Sequence, residues 1–401
     1  MSNTSIIFLK EFFPQTCHDR IFLVGGSVRD FLLEKSSQDI DLVAALSDNE
    51  LADLGFRLVE PKSSTVIYFR FHPEFGKIEV TRLNCISELE NDLALRDFTV
   101  NAMAMDLSGK LVDPLKGSAD LAAGVLRTCS RQTFRNDPLR IFRAFRFVAD
   151  GWKMTAETEA LIRELDWNRE LAAIPVERYS WEMLKALACD KPWRFFELML
   201  EFNAGKILLP ELFLMRSIPA GPLEHHPEGD LLTHSFQVLQ RVAEKTADPL
   251  TRFCAFFHDL GKLATNPSLY PKHHGHDEAG FKSAEEFCNR LRLSLAYRKG
   301  LSWVSRLHGK LNRWSELRDA KKLEIADQSL KAGIVEVLPL ISAADKPGNT
   351  KVEGWDDAVA VACMATAELG IMPQQLEAMP VGNRSSYILQ KRVEVFKAKK
   401  N

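Results

Sequence analysis

LVGGSVRDFLL (residues 23–33), with DIDLVAA (residues 39–45) close behind it, reads as a strand, a glycine turn, a short helix and a second strand. Gly25-Gly26-Ser27 opens the helix expected over Val28 to Glu34. Small residues there let a phosphate approach the backbone N–H groups of a helix N-terminus. In a strand, residues i and i+2 share a face, so Asp39 and Asp41 present two carboxylates on one side of a sheet edge. Carboxylates held that close repel and raise each other's pKa unless a cation lies between them. Mg²⁺ suits such a pair, since it usually takes one or two carboxylates plus substrate phosphates. An isolated Asp-x-Asp fits a plain polar strand end equally well. Behind a Gly-Gly turn it makes a phosphoryl-transfer hypothesis.

Outward from that stretch, strand-like runs alternate with turns from 21 to 112: IFLVGG, DIDLVAA, TVIYFRF, KIEVTRL, MAMDL and KLVDP. Helices are expected over 1–18, 27–34 and 48–54, which makes a small α+β domain around a mixed sheet. Near Ala119 the periodicity becomes helical, over 118–124, 136–149, 155–165, 176–189 and 191–203. Pro210 to Pro227 reads as a linker, further helices run to about 344, and Lys346-Pro347-Gly348 breaks them before a last helical pair at 355–369 and 385–399.

The 401 residues are ordinary globular material, 46% hydrophobic and 26% charged, enough for two to four domains. A formal charge of −2 argues against indiscriminate coating of nucleic acid but allows a local basic stripe. KLNRW, RDAKK and LQKRVEVFKAKK are such local concentrations, read either as contacts to a nucleic-acid backbone or, nearly as well, as solvated helix faces. The seven cysteines are scattered without a CxxC, which points to reduced thiols and a cytoplasmic protein. Residues 1–16 lack the basic n-region and long apolar h-region expected of a signal peptide, and no apolar run reaches spanning length.

Several residues outside the opening stretch carry chemistry. Glu79 alternates with Ile78 and Val80 and so faces away from the core side of its strand, as a third carboxylate or a solvated acid. In NDPLRIFRAFRF (136–147), Asp137 and Arg140 are expected as i, i+3 neighbours on one helix face with Arg143 next along it, while Leu139, Phe142 and Phe145 form an apolar side. A carboxylate beside a guanidinium can read a base edge. Asp137 would accept from a cytosine or adenine amine and Arg140 would donate to the adjacent ring acceptors; a surface ion pair is the bland alternative. Eight of the ten histidines lie between 225 and 308. His234, the His258-Asp259 pair of FCAFFHDLGK, His273, His274 and His276 of PKHHGHDEAG, and Asp345 make a set of imidazoles and carboxylates suited to Mn²⁺, Ni²⁺, Co²⁺ or Mg²⁺.

The ordered set LVGGSVRD, DID, LRDFTVNAMAMD, DPLKGSADL, NDPLRIFRAFRF and ERYSWE resembles the bacterial class II tRNA nucleotidyltransferase and poly(A) polymerase family, over roughly residues 20 to 185. From His225 the chain also resembles HD-type metal phosphohydrolases, a tandem like that of the long CCA-adding enzymes. The resemblance implies a polymerase-β-like α+β head (1–118), an all-α neck and body (119–208), an all-α HD domain (209–348) and a helical tail (349–401). Asp39, Asp41 and Glu79 would be catalytic, the aspartates holding Mg²⁺. Gly26, Arg29, Arg96, Asp97, Asn101, Asp137, Arg140, Arg143 and Arg146 would bind nucleotide. Leu95 stands where the family's motif has its first arginine, and Asn136 where it usually has glutamate. Glu177, Arg178 and Glu182 match a structural brace. His234, His258, Asp259 and Asp345 would hold the HD metal, with Lys262 as phosphate partner. The implied partners are the tRNA 3′ end (acceptor and elbow) and CTP.

Only 16 residues separate Glu79 from Arg96, whereas full CCA-adding members of the family carry a longer flexible loop there. The expectation is therefore an enzyme that adds CC and leaves the last A to a partner enzyme. The alternatives are full CCA addition with CTP and ATP, a poly(A) polymerase, or, in a different class, an HD phosphohydrolase whose N-terminal half merely binds RNA.

Overall fold

A computed structural model describes residues 2–35, 40–59, 66–346 and 352–400. Two compact units make up the chain, residues 1–166 and 167–401.

The first unit is built on a sheet of strands β1 (Ile21–Val24), β2 (Ile40–Ala44), β3 (Arg57–Val59), β4 (Ile67–His72), β5 (Gly76–Arg82), β6 (Ala104–Asp106) and β7 (Leu111–Val112). Among the described residues its order is β3-β4-β5-β2-β1-β6-β7. The β2–β5 ladder is parallel and the others are antiparallel, so the expected mixed sheet is present. Strand alternation sorts its side chains. Ile21, Leu23, Ile40, Leu42, Ile78 and Val80 enter one core cluster with the helix Ser2–Phe12. Phe22, Val24, Val43 and Ala104 enter another on the opposite face with Leu89 and Leu93. Asp41 and Glu79, each flanked by residues of the first cluster, therefore belong to the face of the second. The exposed strand β3 had no counterpart among the expected strands; its three residues are too short for a period-two pattern to register.

Two expectations need correction. The helix expected from Asn136 begins at Arg140 and runs to Ala149; Asp137 lies before it, extended at φ −152°, ψ 100°. Pro138 is the cause, because the ring of a proline disfavours helical backbone in the residue before it. Asp137 and Arg140 are thus not neighbours on one helix face. The second correction concerns Pro210 to Pro227, which is only partly a linker. Pro210 sits in the first turn of a short helix, Pro210–Leu214, where its missing N–H costs nothing.

The second unit is helical. Its central helices are Leu231–Ala243, Pro249–Phe257, His276–Arg290, Leu295–Leu311 and Val337–Asp345. Phe196, Phe253, Phe256, Phe257 and Phe287 pack there with ring centroids about 4–6 Å apart. Asp230 and Asp248 cap two of these helices by accepting from Thr233 and Thr251 N–H groups. Among the described residues no helix is long and apolar enough to cross a membrane.

Candidate active site and candidate metal centre

In the first unit, β1 runs into Gly25 at φ +67°, a conformation glycine adopts without strain, and the helix Gly26–Leu32 starts at once. A side chain at Gly25 would meet the Arg96 guanidinium at 2.8 Å and Asp41 Oδ2 at 3.8 Å, so the turn, Arg96 and Asp41 adjoin one another. Ser27 Oγ accepts from the Asp41 backbone N–H at 3.0 Å and fixes β2 against the helix start. Across the parallel ladder, Asp41 is the register partner of Glu79. Two carboxylates from neighbouring strands therefore stand side by side, both half-buried, beside a glycine turn. Lys77 pairs with Glu79. Asp39 lies outside the described residues. The donors present, carboxylate oxygens next to a backbone that phosphate can approach, suit Mg²⁺.

Arg96 is held by Asp92 at 3.0 and 3.2 Å. Asp97 is buried and accepts from Phe98 N–H at 2.8 Å, Asn101 Nδ2 at 3.0 Å and the Arg143 guanidinium at 2.7 and 2.8 Å. Burial alone would push its carboxyl up, but the Arg143 charge and these hydrogen bonds override that and hold it at about 2. Asn101 Oδ1 in turn accepts from Arg29 at 2.7 Å, and Arg29 also donates to Asp30 at 2.8 and 3.0 Å. Arg29, Asp97, Asn101 and Arg143 are thus one network, with Arg29 and Arg146 both over the ring of Phe147. Arg140 donates to the Leu95 and Arg96 carbonyls at 2.9 and 3.2 Å, which couples the neck helix to the loop that carries Arg96. Asp137 Oδ1 accepts from the Leu139 N–H at 3.2 Å. Asp113 caps the helix Gly117–Ala123, accepting from Gly117 and Ser118 N–H groups at 2.6 and 2.9 Å. Gly117 is required there: a Cβ would lie 2.1 Å from the Thr99 carbonyl oxygen.

The second unit assembles the histidines. His234, His258, Asp259 and Asp345 converge: His234 Nε2 is 3.0 Å from Asp345 Oδ1, and His258 Nε2 is 3.3 Å from Asp259 Oδ2. His276 and His308 come to the same pocket, 3.6 and 3.3 Å from Asp259 Oδ1. His308 was missing from the expected ligand set. It lies alone within the long helix Leu295–Leu311, and no local spacing links it to the His-Asp pair. Each of four rings is anchored at Nδ1: His234 on Glu228 (2.7 Å), His258 on Ala255 O (2.9 Å), His276 on His273 O (2.7 Å) and His308 on Val304 O and Ser305 O (both 3.1 Å). With the ring neutral, that pattern leaves Nε2 as the lone-pair atom facing the pocket, the usual arrangement for imidazoles that bind metal. His234 Nε2, His258 Nε2 and Asp259 Oδ1 are buried and lack a well-formed hydrogen bond, and buried polar atoms rarely go without a partner. The donor set fits a divalent cation bound through nitrogen and oxygen.

Burial pushes the Asp259 and Asp345 carboxyls up. Lys262 and His258 more than reverse this for Asp259, and His234 does so for Asp345, so both remain ionised well below the usual range. Burial lowers His234 and His308, but their carboxylate partners lift each to about 9. Lys262, expected as a phosphate partner, is instead buried, with its ammonium on Asp259 Oδ2 and the Ala220 carbonyl, both at 2.6 Å. Of the three residues expected as a buried brace, Glu182 is buried whereas Glu177 and Arg178 are exposed on the same helix.

Residues 21–81 and 56–127 match the family model described as the poly A polymerase head domain. Residues 151–215 match a probable RNA and SrmB-binding site of polymerase A, and residues 231–344 match the HD domain. A polymerase-type head ahead of an HD domain defines the class, a nucleotidyltransferase. The multifunctional CCA protein of Thioalkalivibrio sulfidiphilus is 35% identical over 354 residues, 83% of this chain and 86% of its own length. That of Methylococcus capsulatus is 36% identical over 326 residues, 77% of this chain and 76% of its own. The chain belongs to the family of the multifunctional CCA proteins. Its fold is also that of the Thermotoga maritima CCA-adding enzyme complexed with tRNA (TM-score 0.60, 21% identity, 99% of this chain and 95% of that one). The Bacillus stearothermophilus CCA-adding enzyme in complex with CTP is alike to the same degree (TM-score 0.60, 22% identity, 94% and 88%).

Proposed function

We propose that the chain is a tRNA nucleotidyltransferase that transfers cytidylate from CTP to the tRNA 3′ end and releases pyrophosphate. The observation that carries this reading is the pairing of Asp41 with Glu79 beside the Gly25 turn and Arg96. Family membership supports the substrate class. Asp39, Asp41 and Glu79 would hold Mg²⁺, which when bound neutralises charge on the triphosphate and the attacking 3′-oxygen. Gly26, Arg29 and Arg96 would receive the triphosphate, while Asp97, Asn101, Arg143 and Arg146 hold the surrounding loop. Asp137 and Arg140 would read the base, the former from an extended residue fixed by Pro138 and the latter from the start of the neck helix. Glu177, Arg178 and Glu182 would brace the body. The seven free cysteines suit a reducing, cytoplasmic setting.

We infer further that the product is CC. The interval between Glu79 and Arg96 is tightly built: after β5 come the turns Ile86–Glu88 and the helix Leu89–Ala94, with Leu83, Leu89 and Leu93 buried in the core. Glu88 accepts from the Asn84 backbone N–H at 2.9 Å and from its side chain, tying the start of the segment to its middle. So anchored a segment has little freedom to act as the lever that re-aims a base-reading pair from cytosine to adenine. The names of the curated relatives favour the second reading, completion of CCA with ATP. Extension of tRNA lacking its 3′ CCA, with CTP and ATP both present, followed by sequencing of the product, separates the two. Termination after two C residues supports the CC reading, and efficient A addition refutes it. For the second unit, the His–Asp pocket supports a metal-dependent phosphohydrolase site taking Ni²⁺, Mn²⁺, Co²⁺ or Mg²⁺.

A further inference from the structure

Strand β4 spends its two faces differently. Toward the first core cluster, Tyr68 is buried, the Arg70 guanidinium lies 4.7 Å over the Phe12 ring, and the His72 ring is 4.7 Å from that of Phe8. The opposite face carries Ile67, Phe69 and Phe71, and none of these enters the second cluster. Phe69 is half-buried and Phe71 is 69% exposed. Their rings meet edge to face with centroids 5.9 Å apart. With the exposed Val59 of β3 beside Ile67, they make a contiguous apolar patch open to water.

Register ties that patch to the carboxylates. Asp41, Glu79, Phe69 and Arg57 are successive partners across β2, β5, β4 and β3, and Lys77 is the partner of Phe71. With neighbouring strands about 4.8 Å apart, Phe69 stands roughly 10 Å from Asp41 on the same face of the sheet. Stacked nucleotides advance about 3.4 Å each, so the rings fall beside the last few bases behind a reacting 3′-oxygen. Arg57, exposed, and Lys77, half-buried, flank them with positive charge. Aromatic rings beside cations on an open sheet suit unpaired bases and their phosphates. A folded protein seated there would obstruct the carboxylates, whereas an RNA 3′ end has to reach them.

We propose that Phe69 and Phe71, flanked by Arg57, are a stacking platform for the last unpaired nucleotides of the tRNA acceptor strand, and that the platform aims the 3′ end at Asp41 and Glu79. The proposal rests on the function given above, in which that 3′ end is the acceptor. The rings act as positioning residues, holding the bases behind the reacting oxygen, and stacking tolerates any base there.

The test uses the full chain, CTP, and tRNA that ends after the first C of CCA. Phe71→Ala, at a surface position where folding is preserved, should raise KM for tRNA at least about fivefold, with a smaller effect on kcat and none on KM for CTP. Phe71→Tyr, which keeps a stacking face, should restore the parent's KM for tRNA. With 5-iodouridine as the unpaired base before the terminal C, irradiation of the complex should join that base to Phe69 or Phe71. A parent-like KM for tRNA in Phe71→Ala, a loss that Phe71→Tyr leaves in place, or the absence of a crosslink to either ring overturns the platform and leaves the function standing. A parent that fails to extend this tRNA with CTP overturns instead the function on which the platform rests.

Discussion

Asp97 shows what a single side chain does in the head. It is buried, yet its carboxyl is held at about 2 against an ordinary 3.8, with Arg143 and Asn101 outweighing the cost of burial. A folded-state pKa below the unfolded one contributes stability above the unfolded value and loses it as pH falls. Asp97→Asn should therefore cost on the order of 2 kcal/mol at pH 7, a difference that closes as pH falls from about 4 toward 2. Urea unfolding of parent and variant at pH 7 and pH 3 checks this, and an undiminished gap at pH 3 would contradict it. Gly117→Ala should destabilise by about 1–3 kcal/mol, because a Cβ there drives into the Thr99 carbonyl. A melting temperature equal to the parent's would show that the contact relaxes freely. That Asp41 and Glu79 turn away from the Ile and Val neighbours on their strands was readable from alternation, whereas Arg96, Asp97 and Asn101 entered only through the resemblance of their motif. His308 was not readable, because only the packing of the helix Leu295–Leu311 brings it to Asp259.

At the scale of elements, turns position both centres. Strand alternation turns Glu79 away from Ile78 and Val80, and the parallel β2–β5 ladder makes it a direct neighbour of Asp41. Helical periodicity gave the apolar side of Leu139, Phe142 and Phe145, all buried, but not the start of the helix Arg140–Ala149. The apolar pattern runs through Asp137, whereas the backbone obeys Pro138. In the second unit, the 3-10 turn Leu260–Ala264 reaches the helix His276–Arg290 through Gly261 and Gly280. A Cβ on Gly261 would lie 2.1 Å from the His276 carbonyl and 2.5 Å from Gly280 N. Gly261→Ala should push His276 away from Asp259 and weaken Mn²⁺ binding at least tenfold, read by calorimetry on the full chain. Unchanged affinity would show that the close approach does not position the pocket.

On the scale of the whole molecule, the two centres fall in different compact units, the carboxylates in residues 1–166 and the histidines in residues 167–401. Their separation was legible from the order of motifs along the chain, whereas the position of the division near Asp166 carries no composition shift to mark it. Separate sites predict separable activities. His258→Ala should remove metal-dependent phosphoesterase activity and leave CTP addition within about twofold, and equal loss of both in a folded variant would point to one composite site. On the function proposed above, the Asp41 carboxylate, set beside Glu79 and the glycine turn, drives nucleotide transfer to tRNA. Single-turnover extension of tRNA lacking its 3′ CCA by labelled CTP, with parent and Asp41→Ala compared at equal tRNA binding, tests it most directly. Extension by the parent is expected, with a rate at least about 10²-fold lower in the variant. A variant that extends tRNA at a tenth of the parent rate or faster, or a parent that leaves the tRNA unextended, would contradict it.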